Sequence, residues 1–271
     1  MNIDYYKIDP TGNVTLIVET PVPRELNSGV ASALMALDRD AEQVGFLEAA
    51  QDASCRLRLQ MMGGEFCGNA SISVAALTAE LDKARGRITQ TVRLEVSGAA
   101  APLDVLIRAR GDRLYAGRVA MPLPEGCFDF DFPLENGICR LPVVRFPGIC
   151  HAVVRGGLSI LQAQRHIAGW CALLGAEALG LMFLDGERLT PLVYVASTGS
   201  SVLERSCASG SSACASYLAL QANLPLSAVF IQPGGTLSVD VGLEGGRVSS
   251  LHLTGSAQIV GKYSAEVSAA T

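Results

Sequence analysis

Apolar and polar residues alternate with period two through 88–96, 103–109, 113–120, 236–241, 246–254 and 257–263, predicting strands joined by short turns. Apolar positions at helical spacing predict helices over about 27–37 and 158–173. Two apolar runs, Val44-Gly45-Phe46-Leu47-Glu48 and Leu181-Met182-Phe183-Leu184-Asp185, read as buried strands. The stretches after Cys67 and Cys207 are rich in Ala, Ser and Gly and predict helices that pack closely on neighbouring backbone. Residues from Ala265 to Thr271 are expected to fray.

These elements recur in order. Thr11-Gly12-Asn13-Val14-Thr15-Leu16-Ile17-Val18 is a turn feeding a strand, and so is Pro147-Gly148-Ile149-Cys150-His151-Ala152-Val153-Val154. A helix, an apolar strand and a second helix follow each turn, opened by Phe66-Cys67-Gly68-Asn69-Ala70-Ser71 in one case and Ser206-Cys207-Ala208-Ser209-Gly210-Ser211 in the other. Gly12 to Cys67 spans 55 residues and Gly148 to Cys207 spans 59, which points to two copies of one unit. Pro122-Leu123-Pro124-Glu125-Gly126 is rich in breakers and suits a linker. The expected fold class is α/β, with two pseudo-symmetric domains over 1–120 and 121–261. Each is a curved, mostly antiparallel sheet around a central helix.

Composition narrows the function. The 271 residues are 49% hydrophobic, enough for a sizeable core. With 26 acidic against 21 basic residues the net charge is −5, which excludes the clustered positive charge of a general nucleic-acid binder. Charged residues interrupt every apolar stretch before bilayer length, and Met1-Asn2-Ile3-Asp4-Tyr5-Tyr6-Lys7 lacks a basic leader, so no membrane partner and a cytoplasmic location are expected. Eight cysteines include no Cys-x-x-Cys pair, and the histidines are His151, His166 and His252; no metal site is expected. Lysine is confined to Lys7, Lys83 and Lys262, a poor basis for a pyridoxal-phosphate Schiff base, and no cofactor is expected.

A cysteine just ahead of a helix sits near free N–H groups and the positive end of the macrodipole, which is expected to lower the pKa of Cys67 and Cys207 towards reactive thiolates. Asn69 and Ser209 suit the capping position, and the helix starts at Gly68, Asn69, Ala208, Ser209 and Gly210 form candidate cradles for a carboxylate. Two such cradles facing one another would hold one amino acid with a sulfur on either side of its α-carbon. One thiolate removes the α-hydrogen as a proton and the opposite thiol returns one, inverting the centre. Fixed helix dipoles would stabilise the charge that develops on the carboxylate without a cofactor. The plainer alternative makes both cysteines core residues copied by the duplication. Cys150, Cys171 and Cys214 are expected to be packed.

Thr11-Gly12-Asn13, Glu65-Phe66-Cys67-Gly68-Asn69, Cys207-Ala208-Ser209-Gly210, Gln232-Pro233-Gly234-Gly235 and Leu253-Thr254-Gly255-Ser256-Ala257 together resemble the diaminopimelate epimerase family, over about Tyr6 to Val260. The resemblance implies cofactor-independent racemases and epimerases with two related α/β domains and one catalytic cysteine in each, here Cys67 and Cys207. It also implies that a C-terminal strand at about 262–271 returns to the first domain, and that Asn13 contacts substrate. A homodimer is compatible with it. Three features depart from the epimerase pattern. Gln60-Met61-Met62-Gly63-Gly64 lacks an asparagine, Ile149-Cys150-His151 stands in place of Asn-Pro-His, and Glu204-Arg205 falls immediately before Ser206-Cys207. Losing distal polar groups penalises a doubly charged substrate, whose far carboxylate would be buried unpaired. Asp9-Pro10-Thr11-Gly12-Asn13-Val14-Thr15, Glu42-Gln43-Val44-Gly45-Phe46 and Gly64-Glu65-Phe66-Cys67-Gly68-Asn69-Ala70 are similar to the histidine racemase branch, which supplies D-histidine for opine-type metallophores. That likeness implies a site role for Glu42, a carboxylate able to accept from an imidazole N–H. The expectation is interconversion of L- and D-histidine. Diaminopimelate epimerisation, non-catalytic binding of an amino acid, and a hydrolase built on Cys207 and His151 are the alternatives.

Overall fold

The computed structural model describes residues 1–82 and 88–268; Lys83 and the last three residues of the expected C-terminal strand lie outside the described residues. In chain order the elements are β1 (Asn2–Asp9), β2 (Thr15–Val18), α1 (Asn27–Leu37), β3 (Gln43–Glu48), β4 (Leu57–Met61), α2 (Gly68–Leu81), β5 (Thr89–Val96), β6 (Leu103–Gly111) and β7 (Leu114–Ala120). They continue with β8 (Gly126–Leu134), β9 (Gly137–Phe146), β10 (Ile149–Val154), α3 (Ile160–Leu173), β11 (Ala178–Asp185), β12 (Arg188–Val195), β13 (Ser200–Leu203), α4 (Ala208–Ala222), β14 (Leu226–Gln232), β15 (Gly235–Glu244) and β16 (Arg247–Glu266). The chain divides into two compact units, Met1–Ala120 with Thr254–Thr271, and Met121–Leu253.

In the first unit β2 and β3 pair in parallel with α1 between them, β4 pairs antiparallel with β3 and parallel with β5, and β5, β6 and β7 form antiparallel hairpins. β16 lies beside β7 and also pairs antiparallel with β1, from Asn2↔Glu266 to Asp9↔Gln258, so the ladder closes on itself. A closed ladder has no edge and needs something to fill it. That filler is α2, buried without a break from Gly68 to Thr78 and packed on β2, β5, β6 and β7. A helix buried all round must satisfy its own polar groups. Ser71 Oγ donates to the Cys67 carbonyl (2.7 Å), Ser73 Oγ to Asn69 (3.0 Å) and Thr78 Oγ1 to Val74 (2.8 Å). By contrast α1 buries one stripe, Val30, Ala31 and Leu34, against Leu16, Val18, Val44 and Phe46. Each such side chain contributes roughly 1.5–3 kcal/mol.

In the second unit β8, β9 and β10 are antiparallel, β10 and β11 parallel with α3 between them, β11 and β12 antiparallel, and β14 and β15 antiparallel. The start of α3 is fixed by a capping box between Ser159 and Gln162. Its buried stripe, Ala163, Ile167, Trp170 and Cys171, meets the sheet through Trp170, whose ring lies 4.9 Å from that of Phe132 and whose Nε1–H donates to the Pro133 carbonyl (2.9 Å). α4 is buried along most of its length against β9, β10, β11, β14 and β15, and ends on Asn223 in the left-handed region.

Two expectations change. The strands expected at 246–254 and 257–263 are one strand, β16, because Leu251, Leu253, Gly255, Ala257 and Ile259 stay buried at period two straight through the Gly255-Ser256 turn signal. Fraying is not seen from Ala265 to Val267, since Ala265 pairs with Ile3 and Val267, 3% exposed, donates its N–H to the Met1 carbonyl; the end of that expectation, 269–271, lies outside the described residues. Among the described residues no helix is long and apolar enough to cross a membrane.

Gly117 of β7 marks how tightly α2 is gripped, since a Cβ there would lie 2.4 Å from Ile72 Cγ2 and 3.0 Å from Ile107 Cδ1. Gly117→Val should lower unfolding stability by about 1–3 kcal/mol, read as a lower urea midpoint. An unchanged midpoint would show that β7 and α2 have slack.

Candidate active site

Asn13 is presented by a turn in which Thr11 (φ 56°) and Gly12 (φ 88°) are both left-handed. A β-branched residue in that region is strained. The strain is held by the Asp9 carboxylate, which accepts from the Gly12 N–H, and by Thr11 Oγ1, which accepts from the Ser256 N–H (3.0 Å). From there a chain of amides runs to Cys67. Asn13 Nδ2 donates to Glu42 Oε2; Asn13 Oδ1 accepts from Gln43 Nε2 (2.5 Å) and Asn69 Nδ2 (3.3 Å); the Cys67 S–H donates to Gln43 Oε1 (3.1 Å). The Glu42 carboxylate only accepts, so it fixes which way both amides point. Thr15 Oγ1 also accepts from Gln43 Nε2 (2.8 Å). Asn13, Glu42, Gly68 and Asn69 are thus all gathered about Cys67.

Cys207 has its own surroundings. Its backbone N–H donates to Gln232 Oε1 (2.8 Å), and Gln232 Nε2 donates to Ser211 Oγ (3.0 Å), whose hydroxyl donates to the Cys207 carbonyl (2.7 Å). Ser209 Oγ lies 3.6 Å from the sulfur and 3.0 Å from His151 Nε2. A Cβ at Gly210 would sit 2.1 Å from Met182 Sδ and 3.2 Å from Cys207 Sγ, so any larger residue there displaces the methionine. Ala208 opens α4 and is 7% exposed. Ala208, Ser209 and Gly210 therefore lie about Cys207.

Two expectations are corrected here. The capping residues are the cysteines themselves, with Asn69 and Ser209 one step inside each helix: Cys67 Sγ accepts from the Ala70 N–H and Cys207 Sγ from the Gly210 N–H, each at 3.4 Å. The thiols are also not acidified. Loss of solvent around the sulfur pushes half-buried Cys67 up to about 11, against the Ala70 N–H that favours the thiolate. Burial, with the Glu204 carboxylate beside it, holds Cys207 well above the ordinary thiol range. Desolvation outweighs the helix-end dipole at both positions. Cys150, Cys171 and Cys214 are packed at 0–2% exposure. Among the described residues no group of three or more His, Cys, Asp or Glu side chains converges as a metal site.

The histidine racemase CntK N-terminal domain model matches residues 2–265. The chain belongs to the histidine racemase family. It is 33% identical over 248 residues to a histidine racemase of Fusobacterium nucleatum, covering 87% of this chain and 88% of that protein. A Staphylococcus aureus histidine racemase is 27% identical over 248 residues, 88% of each. Among solved structures, a hydroxyproline epimerase from Agrobacterium vitis superposes with a TM-score of 0.70 at 16% identity, over 97% of this chain and 92% of that one. A predicted epimerase from Pseudomonas aeruginosa does so at 0.70 and 16%, over 98% and 100%. The folds agree: a mixed α/β, strand-rich architecture with few helices, shared with racemases and epimerases.

Within this racemase-family chain, sequence reading missed Gln43, Thr15, Gln232 and Ser211. Gln43 follows Glu42 directly, and alternation along a strand would put the two on opposite faces; Glu42 precedes the first residue of β3, so both reach Asn13. With its pKa near 11, Cys67 is thiolate in about one molecule in a thousand at pH 8. Its alkylation by iodoacetamide, followed on the Cys67 peptide by mass spectrometry, should rise about tenfold per pH unit from 8 to 10. A rate already flat at pH 8 would contradict the elevated pKa.

Proposed function

We propose that this chain interconverts L- and D-histidine without a cofactor, Cys67 and Cys207 alternating as base and acid. The observation that carries the reading is the matched pair of sulfurs, each capping a buried helix of small residues, in a chain whose relatives are histidine racemases. We read the two units as copies of one ancestral unit. The parallel pairs β2–β3 and β10–β11 and the hydroxyls Ser71 and Ser211, each on the carbonyl of its cysteine, support that.

In one direction a thiolate takes the α-hydrogen as a proton and becomes a thiol, while the electron pair left on carbon delocalises into the carboxylate. The other thiol then gives its proton to the α-carbon and is left as the thiolate, so each turnover ends with the two roles exchanged. The first-turn amides at Gly68, Asn69, Ala208, Ser209 and Gly210 take the substrate carboxylate, where fixed donors stabilise the growing charge. Asn13 and Glu42 complete the contacts, Glu42 accepting from an imidazole N–H. Gln60 is a poor reader of a second carboxylate, because its Nε2 donates to the Met61 carbonyl (3.2 Å) while Met61 is fully buried.

In heavy water, deuterium should enter the α-position of L-histidine as D-histidine accumulates with no pyridoxal phosphate added, and meso-diaminopimelate should exchange far more slowly. Cys67→Ser and Cys207→Ser should each lower racemisation by about 100-fold or more. Racemisation that survives either change would remove the two-thiol mechanism, and absence of exchange with histidine would remove the substrate.

A further inference from the structure

Among the described residues six buried polar side-chain atoms have no hydrogen-bond partner, and of these His151 Nδ1 belongs to a ring whose other nitrogen lies beside Ser209, a neighbour of the Cys207 sulfur. It is fully buried on β10, and its Nδ1 has no hydrogen-bond partner. Opposite it in the parallel register stands Gly180, where even a Cβ would come within 2.3 Å of Nδ1, so the glycine methylene fills the space beside that nitrogen. Nothing accepts from Nδ1, so a hydrogen there would be an orphaned buried N–H, which folded proteins tolerate less often than an under-satisfied acceptor. Burial also lowers the pKa of the ring to about 3, so the imidazole is neutral and carries one N–H. That hydrogen belongs on Nε2.

The tautomer has a consequence for the thiol. Nε2–H donates to Ser209 Oγ (3.0 Å), so the hydroxyl accepts from the ring and its own hydrogen is free to point elsewhere. The sulfur of Cys207 is 3.6 Å away. We propose that His151 is a positioning residue: through its Nε2–H it orients Ser209 so that the hydroxyl donates to Cys207 Sγ and steadies the thiolate whenever the proton leaves. Gly210 N–H supplies the second donor, and Glu204 is the carboxylate beside the sulfur that works against it. In this arrangement His151 never takes a proton from the thiol. It acts one hydrogen bond away, and Gly180 is the residue that keeps its other nitrogen bare.

The inference rests on Cys207 working as a base in the proposed racemase, yet its test does not need turnover. Glutamine places an amide N–H where Nε2–H stood; leucine fills the space without a donor. The pH profile of iodoacetamide alkylation is read on the Cys207 peptide, with the Cys67 peptide as internal control. His151→Leu should move the Cys207 profile up by about one pH unit or more and leave Cys67 in place, and His151→Gln should restore most of the shift. Racemisation of histidine should fall about tenfold or more in the leucine variant, chiefly in kcat. Ser209→Ala, at a half-buried position that tolerates the change, should move Cys207 as the leucine variant does, so the relay can be tested even if the leucine protein fails to fold. Adding His151→Leu to Ser209→Ala should give no further shift. Equal profiles in the glutamine and leucine variants, or an unmoved Cys207 in Ser209→Ala, would overturn the relay. If the alkylation shifts appear but no variant, nor the parent, exchanges histidine, the relay stands and the racemase reading falls.

Discussion

A helix start leaves backbone N–H groups without partners, and in α2 and α4 the group that answers them is a thiol sulfur at 3.4 Å. Serine, aspartate and asparagine do this with a shorter, stronger contact and are the residues that favour helix stability. A cysteine in that place is a weaker cap, twice chosen. Each start is held against its own sheet, with Cys207 buried and Cys67 half-buried. Each helix is buried along most of its length, which favours small residues, glycines where Ile72 and Met182 press in, and hydroxyls that return to the helix's own carbonyls.

The parts of the fold legible in the sequence were those with strong local periodicity and those that recur. The helix expected over 27–37 is α1 to the residue, and the one expected over 158–173 starts two residues later because Ser159 caps it. Strand β1 was not anticipated, since its consecutive buried tyrosines, Tyr5 and Tyr6, break alternation; it holds its place by pairing with β16 from the far end of the chain. Local turn chemistry misled at Gly255-Ser256, where long-range pairing overrides the propensity of the two residues to turn.

The cysteines of the candidate site stand out in one dimension because each opens a small-residue helix in a recurring order of elements. Their supports could not. Gln43 and Gln232 begin and end strands, where a glutamine ordinarily faces water, and their amides acquire meaning only when three elements bring a thiol, an asparagine and a serine within reach. In the sequence His151 is marked only as a partner for Cys207 in a hydrolase. Its orphaned nitrogen against Gly180 is a fact of packing with no signature in sequence.

The elevated thiol pKa values bear on how such chemistry could run. Removing the proton from Cys67 near pH 7 costs about 5 kcal/mol, taking its pKa as 11 and each unit as 1.36 kcal/mol. Helix amides offset part of the charge, but they are already present in the structure whose pKa is raised, so the balance has to come from something that arrives. A zwitterionic amino acid would bring a cation, its ammonium group, and an opposite charge within about 4–6 Å favours the charged form by one to three pKa units, against the further loss of water around the sulfur. On that argument the thiolate is a property of the complex and not of the resting protein. A resting thiol is a poor nucleophile, so the raised pKa that makes Cys67 and Cys207 weak acids also slows their alkylation and oxidation.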